Sequence, residues 1–208
     1  NYGFYDGGAG GNPFKHEGKK TYAYEIAEQM GWETPDYISY PVGVGEALIA
    51  SHRGFKELDE MGWTESVPKM ICAQPTAANT ISLAFKEKRE IRPQKTLPTL
   101  AKAIVVGKPG KKGDYTLSII NQGGFGEDVS DEEILESFRF LAGYEGIYGG
   151  ISGCTSLACA VKLLREGKLD RQDKVVCVIT ENGLKNDVEK EQINGIESTF
   201  ESWKKEFE

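Results

Sequence analysis

Runs of consecutive apolar residues alternate along the chain with segments whose apolar residues recur every three or four positions. Such runs are typical of strands buried on both faces, and the second spacing is typical of amphipathic helices. The predicted strands are 37–42, 70–74, 101–107 and 174–180. The predicted helices are 19–30, 45–61, 77–88, a segment opened by a capping box at Ser130, and 155–166. This order predicts an α/β fold, with a mostly parallel sheet and helices on both faces.

The remaining segments predict loops and one further helix. Residues 1–18 are rich in Gly, Asn and Pro and are expected to be loop-like. The charged stretch 107–115 predicts a solvated turn, and the charged tail 188–208 predicts a surface helix. With 208 residues, the chain is expected to form a single α/β domain.

The most informative segment is 37–62, where a predicted strand runs into a glycine loop and then directly into a helix. Gly43 and Gly45 allow an anion to approach the backbone, and the N–H groups at the start of the helix point outward. This arrangement can bind a phosphate group without a basic side chain. It is equally compatible with a plain strand-to-helix turn that binds nothing.

Parallel sheets bind ligands at the carboxyl ends of their strands. Three predicted loops fall at such ends or at the start of a following helix, namely 43–46, 149–155 and 181–186. We therefore expect these loops to surround any site that the chain contains.

Composition excludes several classes of function. The formal net charge is −7, and the basic residues are interspersed with acids, so nucleic acid and anionic membranes are not expected partners. The four cysteines lack a disulfide or metal-binding spacing, and Cys72 and Cys177 are expected to be buried, reduced thiols of a cytoplasmic protein. His16 and His52 have no metal-ligand companions at a suitable spacing, so no metal site is predicted.

Six segments carry a resemblance to a known family: NPFKHEGKKTYAYEIAEQMGW (12–32), PDYISYPVGVGEAL (35–48), GFKELDEMGW (54–63), PKMICAQ (68–74), SDEEILESFRFLAGYEGIYGGISGCTSLACAVKLL (130–164) and KVVCVITENGLKND (174–187). Together they resemble the second half of the threonine synthases and their relatives. Those proteins are pyridoxal 5′-phosphate (PLP) enzymes of the tryptophan-synthase β-like fold. The resemblance implies the larger domain of that fold, PLP as cofactor, a small amino-acid substrate and a homodimer as a candidate assembly.

The resemblance also implies roles for individual residues at the cofactor. The loop that holds the PLP phosphate corresponds to Gly43, Val44, Gly45, Glu46 and Ala47. Thr180 corresponds to the residue whose hydroxyl faces the pyridine nitrogen; without the resemblance, it would equally be a strand end that caps the next loop. The family usually has a small residue at the position of Glu46, and a carboxylate there would repel a phosphate unless it pointed away.

Two residues near the start of the chain correspond to substrate-binding positions. Asn12 and Lys15 stand where threonine synthases carry an Asn and an Arg, the latter near the substrate's phosphate. A lysine can neutralise a phosphate as a point charge, although it lacks the bidentate geometry of arginine. The alternative for Lys15 is a solvated loop lysine.

The resemblance implies a PLP-dependent lyase that carries out elimination or replacement on an O-phospho amino acid such as O-phosphohomoserine. By the same resemblance, the Schiff-base lysine belongs to an earlier segment that the 208 residues do not contain. The first alternative is a catalytically inert module that binds a phosphorylated ligand or a partner through the same loop. The second is a paralogue with a cysteate-synthase-like activity.

Overall fold

The computed structural model describes residues 12–185, so residues 1–11 and the predicted tail helix at 188–208 lie outside the described residues. Four described strands form one sheet: β1 (Tyr37–Pro41), β2 (Lys69–Pro75), β3 (Phe125–Val129) and β4 (Val175–Cys177). The described α-helices are α1 (Pro13–Lys19), α2 (Thr21–Gln29), α3 (Glu46–Glu60), α4 (Thr80–Lys86), α5 (Gly110–Ile120), α6 (Asp131–Phe140) and α7 (Ile151–Arg165).

The four strands are parallel and stand in the order β3-β2-β1-β4. The chain moves outward from β1 through β2 to β3, and then crosses back to place β4 on the other side of β1. Tyr37 is therefore in register with Lys69 on one neighbouring strand and with Val175 on the other. The direction of winding reverses between β1 and β4, which is a topological switch point.

Helices cover both faces of the sheet, as the alternation of apolar segments predicts. On one face, Ile38, Tyr40, Met70 and Cys72 pack in a core with side chains of α3 and α5. On the other face, α7 packs across all four strands and α6 packs on α7. Ser39 on that face donates a 2.8 Å hydrogen bond to the carbonyl of Ser156 in α7.

Several predicted elements are confirmed with small shifts in their ends. The core of α3 contains Leu48, Phe55 and Leu58, which are all buried. The predicted capping box is present, because the Ser130 hydroxyl accepts from the N–H of Glu133 and the Glu133 carboxylate accepts from the N–H of Ser130. Strand β4 is shorter than predicted, and Cys177 on this edge strand is only half-buried, unlike the fully buried Cys72.

Three predictions for the local structure are wrong. Residues 13–18 are not loop-like, since Pro13 opens α1 and the Asn12 side chain caps it. The predicted strand 101–107 contains only a 3₁₀ turn at Lys102–Ile104, where Ala101 and Ile104 face the core. The predicted turn at 107–115 is largely the first half of α5, which is held against the core by Thr116, Ile119 and Ile120.

Strand β3 has no counterpart among the predicted elements. Its sequence, FGEDV, breaks the apolar pattern with two acidic residues, yet Glu127 and Asp128 are both buried. Lysines from other elements neutralise them. Within the described residues, no helix combines the length and apolar character that a membrane span needs.

Candidate functional site

The loop that follows β1 lies at the switch point of the sheet. Strand β1 ends at Pro41, α3 begins at Glu46, and residues 42–45 connect them. The residues that follow β4 lie beside the same edge, because β4 is the parallel neighbour of β1. In open α/β sheets, ligands bind in the crevice that forms at such a point. The topology therefore favours the same location for a ligand as the glycine pattern does.

Gly45 is the residue before α3 and adopts a left-handed conformation, with φ at +97°. A Cβ at this position would overlap Thr116 Oγ1 of α5 and lie 2.9 Å from Thr116 Cβ. The helix packed on the outside of the loop thus leaves room only for glycine. Among the described residues, no side chain caps the first turn of α3, so its N–H groups face the loop without a side-chain acceptor.

A cavity of about 350 Å³ opens at this loop. Its walls contain the whole segment Pro41–Leu48 together with Lys19, Tyr22, Ala103, Val106 and Thr180. Thr180 therefore lies in the same cavity as the glycine loop, although 133 residues or more separate them in the sequence. The backbone of Thr180 packs closely against α7, where a Cβ on Gly153 would overlap the Thr180 carbonyl.

Glu46 lines the cavity, and its side chain is only 7% exposed. Its carboxylate pairs with two lysines: Lys19 Nζ of α1 lies 3.0 Å from Oε2, and Lys112 Nζ of α5 contacts Oε1. Burial by itself would raise the pKa of Glu46, but the hydrogen bonds from Lys112 and Lys19 outweigh it and hold the pKa below its ordinary value. The carboxylate is therefore ionised at neutral pH, and the three groups together carry a net positive charge.

Asn12 and Lys15 do not join the other predicted site residues at this cavity. Asn12 Oδ1 accepts a 3.0 Å hydrogen bond from the N–H of Phe14 and caps α1. Lys15 is half-exposed in the first turn of the same helix. Neither residue lines the cavity formed by the described residues.

The other two predicted loops meet each other. Gly149 forms an isolated bridge with Asn182, and the N–H of Gly150 donates a 3.1 Å hydrogen bond to the carbonyl of Glu181. This contact fixes the chain directly after Thr180 against the start of α7. Gly149 and Gly150 thus support one wall of the site together with residues 181–182. The rest of the predicted loop 149–155 is the first turn of α7, which begins at Ile151.

Sequence patterns missed the two lysines that pair with Glu46. Lys19 belongs to the segment 12–32 that carries the family resemblance. The resemblance therefore marks this segment as part of the family's fold, but it gives Lys19 no role. Lys112 lies in the charged stretch that predicted a solvated turn without function. Sixty-six residues separate it from Glu46, so only the tertiary structure brings the pair together.

Comparison with known proteins identifies the family. The family described as pyridoxal-phosphate dependent enzyme matches residues 1–181. This chain belongs to that family. Pyridoxal phosphate, the predicted cofactor, is accordingly the cofactor of the family, and the predicted relationship to the threonine synthases is confirmed by the relatives described next.

Threonine synthase from Methanocaldococcus jannaschii is 40% identical over 176 residues, which are 84% of this chain and 44% of that protein. Threonine synthase from Methanosarcina acetivorans is 37% identical, with the same shares of both chains. This chain thus spans less than half the length of these curated relatives. Among solved structures, a fungal L-serine ammonia-lyase from Rhizomucor miehei has a TM-score of 0.67 at 20% identity and covers 82% of this chain and 53% of its own. The predicted tryptophan-synthase β-like fold is confirmed.

The residues at the loop fit a PLP phosphate. The cavity is of a size that small ligands occupy in proteins, and its wall contains the uncapped start of α3 and the polar residues Lys19, Tyr22 and Thr180. The one acidic side chain in its wall, Glu46, is neutralised by its lysine partners. A phosphate would therefore meet backbone donors and net positive charge.

Proposed function

We propose that this chain forms the cofactor-binding part of a PLP-dependent lyase that acts on an O-phospho amino acid such as O-phosphohomoserine. The observation that carries the proposal is the meeting of the glycine loop and Thr180 in one cavity at the switch point of the sheet. The relatives named threonine synthase favour the same class of substrate. Both sets of observations support an enzyme of amino-acid biosynthesis.

The residues of this chain have separate tasks in the proposed site. The N–H groups at the start of α3 and the Lys19 ammonium would hold the phosphate of the cofactor. The Thr180 hydroxyl would be the partner of the pyridine nitrogen and, because it is neutral, would not require that nitrogen to be protonated. When bound, PLP withdraws electrons from the amino-acid substrate, and a hydroxyl partner at its nitrogen suits elimination and replacement reactions. Val42, Leu48 and Val106 line the cavity and limit the access of water.

Other parts of the proposal concern groups outside this cavity. We propose that the Schiff-base lysine lies outside these 208 residues, of which 176 align with 44% of the Methanocaldococcus relative. Asn12 and Lys15 are proposed to face the phosphate of the substrate, as the resemblance implies. A homodimer, a single α/β domain and a cytoplasmic location remain predictions. Cys72, Cys159 and Cys177 form no disulfide among the described residues, which agrees with a reducing compartment.

The Thr180→Val variant tests the cofactor site. Valine keeps the shape of threonine and removes its hydroxyl, so we expect the dissociation constant of PLP to rise about tenfold, the typical value of one lost hydrogen bond. The measurement is a titration of the chain with PLP, followed by absorbance and by thermal stability. Thr155→Val is the matched control, because Thr155 is fully buried in α7 and does not line the cavity. A chain that shows no saturable PLP binding contradicts the proposal.

Product analysis tests the class of substrate. The assay combines this chain with a preceding segment of the threonine-synthase type, which supplies the Schiff-base lysine. We expect O-phosphohomoserine to release inorganic phosphate and yield threonine. Turnover of O-phosphoserine with sulfite instead would favour the cysteate-synthase-like alternative. Cofactor binding without turnover of either compound would favour the inert binding module.

A further inference from the structure

Glu46 places a negative charge at the point where a phosphate would bind. It is the first residue of α3, next to the left-handed Gly45, and its side chain lines the cavity at the loop. An acidic residue in the first turn stabilises a helix, because the positive end of the helix dipole attracts it. A phosphate in the cavity would be attracted by the same end of the helix. The two anions therefore share one source of positive potential.

Glu46 also occupies the lysines nearest to the loop. Lys19, which lies in the wall of the cavity, has its ammonium 3.0 Å from Glu46 Oε2. Lys112 contacts the other carboxylate oxygen and lines a second cavity of about 490 Å³. The Lys19 and Lys112 side chains are 29% and 26% exposed, so water screens these pairs less than it screens surface ion pairs. Each carboxylate oxygen of Glu46 thus pairs with one lysine, and the two lysines line different cavities.

The charge balance of this cluster decides how strongly it attracts a dianion. With Glu46 ionised, the two lysines and the carboxylate give a single net positive charge beside a group that carries two negative charges. Without the carboxylate, two positive charges would face the same phosphate. In addition, Lys19 can turn toward the phosphate only by weakening its ion pair with Glu46.

We propose that Glu46 acts as an internal anion that competes with the ligand's phosphate for Lys19 and thereby lowers the affinity of the loop for PLP and for inorganic phosphate. The inference rests on the proposed cofactor site and adds a determinant of its affinity. The lysine pair keeps the loop folded around Glu46 when no ligand is bound, and the ligand displaces part of that pairing.

The test compares Glu46→Gln with the wild-type 208-residue chain in titrations with inorganic phosphate and with PLP. Glutamine keeps the size of the side chain and removes its charge, so we expect both ligands to bind about tenfold more tightly. Glu57→Gln is the matched control. Glu57 lies on the same helix and is paired with Lys20 at 2.9 Å and with the Tyr24 hydroxyl at 2.8 Å, but it lines neither cavity. The Glu57→Gln variant should bind phosphate with an affinity within about twofold of that of the wild type.

Lys19→Met provides a second variant that does not depend on Glu46. We expect Lys19→Met to weaken phosphate binding. When both changes are combined, the gain in phosphate affinity from Glu46→Gln should shrink to less than about threefold, because the two side chains act on one interaction. Circular dichroism and thermal unfolding of every variant establish that the compared chains are folded.

The outcomes separate this inference from the proposed function. If the wild type binds phosphate or PLP and Glu46→Gln binds no more tightly, the competition is refuted while the cofactor site stands. An equal gain in Glu57→Gln would also refute it, because it would assign the effect to the net charge of the chain. If neither the wild type nor Glu46→Gln binds phosphate or PLP, the proposed function fails and the inference fails with it.

Discussion

Gly45→Ala is expected to remove saturable phosphate and PLP binding and to lower the free energy of unfolding by about 3 kcal/mol. Two costs add at this position. The residue has φ of +97°, a conformation that alanine adopts only with strain. Its Cβ would also overlap Thr116 Oγ1, so α5 or the loop must move. Because α3 begins at the next residue, either movement displaces the N–H groups that face the cavity. Urea denaturation and ligand titration measure the two effects.

Gly62→Ala is the matched control for backbone strain. Gly62 follows the other end of α3 with φ of +73°, and a Cβ there would have no atom of residues 12–185 within 4 Å. We expect this variant to lose about 1 kcal/mol from strain alone and to keep its affinity for phosphate. Adding Thr116→Ala to Gly45→Ala should restore part of the lost stability, since it removes the overlapping hydroxyl. Equal destabilisation by the two glycine changes would show that Thr116 does not confine the loop.

The parts of the site that sequence patterns could predict are those built from local signals. Strand β1 is rich in aromatic and β-branched residues, and the glycine pair followed by a helical period marks the end of the strand and the start of α3. Parallel strands then bring their carboxyl ends to one edge, so the topology alone moves Thr180 toward the loop. These signals are local or topological, and the structure places the corresponding residues together as expected.

Helix α5 shows why the rest of the site was not predictable. Its first half contains two glycines and two lysines, which are typical of a solvated turn when viewed alone. The helix forms because Thr116, Ile119 and Ile120 bury one of its faces against α3 and the sheet. Tertiary packing thus overrides a weak local propensity, and the same packing delivers Lys112 to Glu46.

Strand β3 illustrates the same limit for charged residues. A strand buried on both faces is expected to be apolar, so Glu127 and Asp128 argue against one when the sequence is viewed locally. The charges that compensate them come from Lys86 in α4 and from Lys162 and Lys168, each more than 30 residues away. No local pattern contains this information.

Lys86→Met is expected to lower the free energy of unfolding by about 3 kcal/mol at neutral pH, because removing one partner of a buried ion pair leaves the other charge uncompensated. Lys86 Nζ lies 2.6 Å from Asp128 Oδ1 and also contacts Glu127, whose side chain is only 1% exposed. Methionine retains the apolar stem of lysine, so the packing of α4 on β3 is preserved. Lys162 and Lys168, at 3.3 and 3.4 Å from Glu127, compensate only part of the loss.

The pH dependence of this variant distinguishes lost charge from lost packing. Burial alone would raise the pKa values of Glu127 and Asp128, but hydrogen bonds from Lys86 outweigh it and hold both pKa values below the ordinary 4.5 and 3.8. A depressed pKa in the folded state contributes stability that is present above the ordinary pKa and is lost as the pH falls through the folded value. The deficit of Lys86→Met should therefore be largest near neutral pH and shrink below about pH 4.5. A deficit that stays constant across this range would point to packing instead. Arg165→Met is the control, because it removes an exposed pair with Glu136 and should leave stability unchanged.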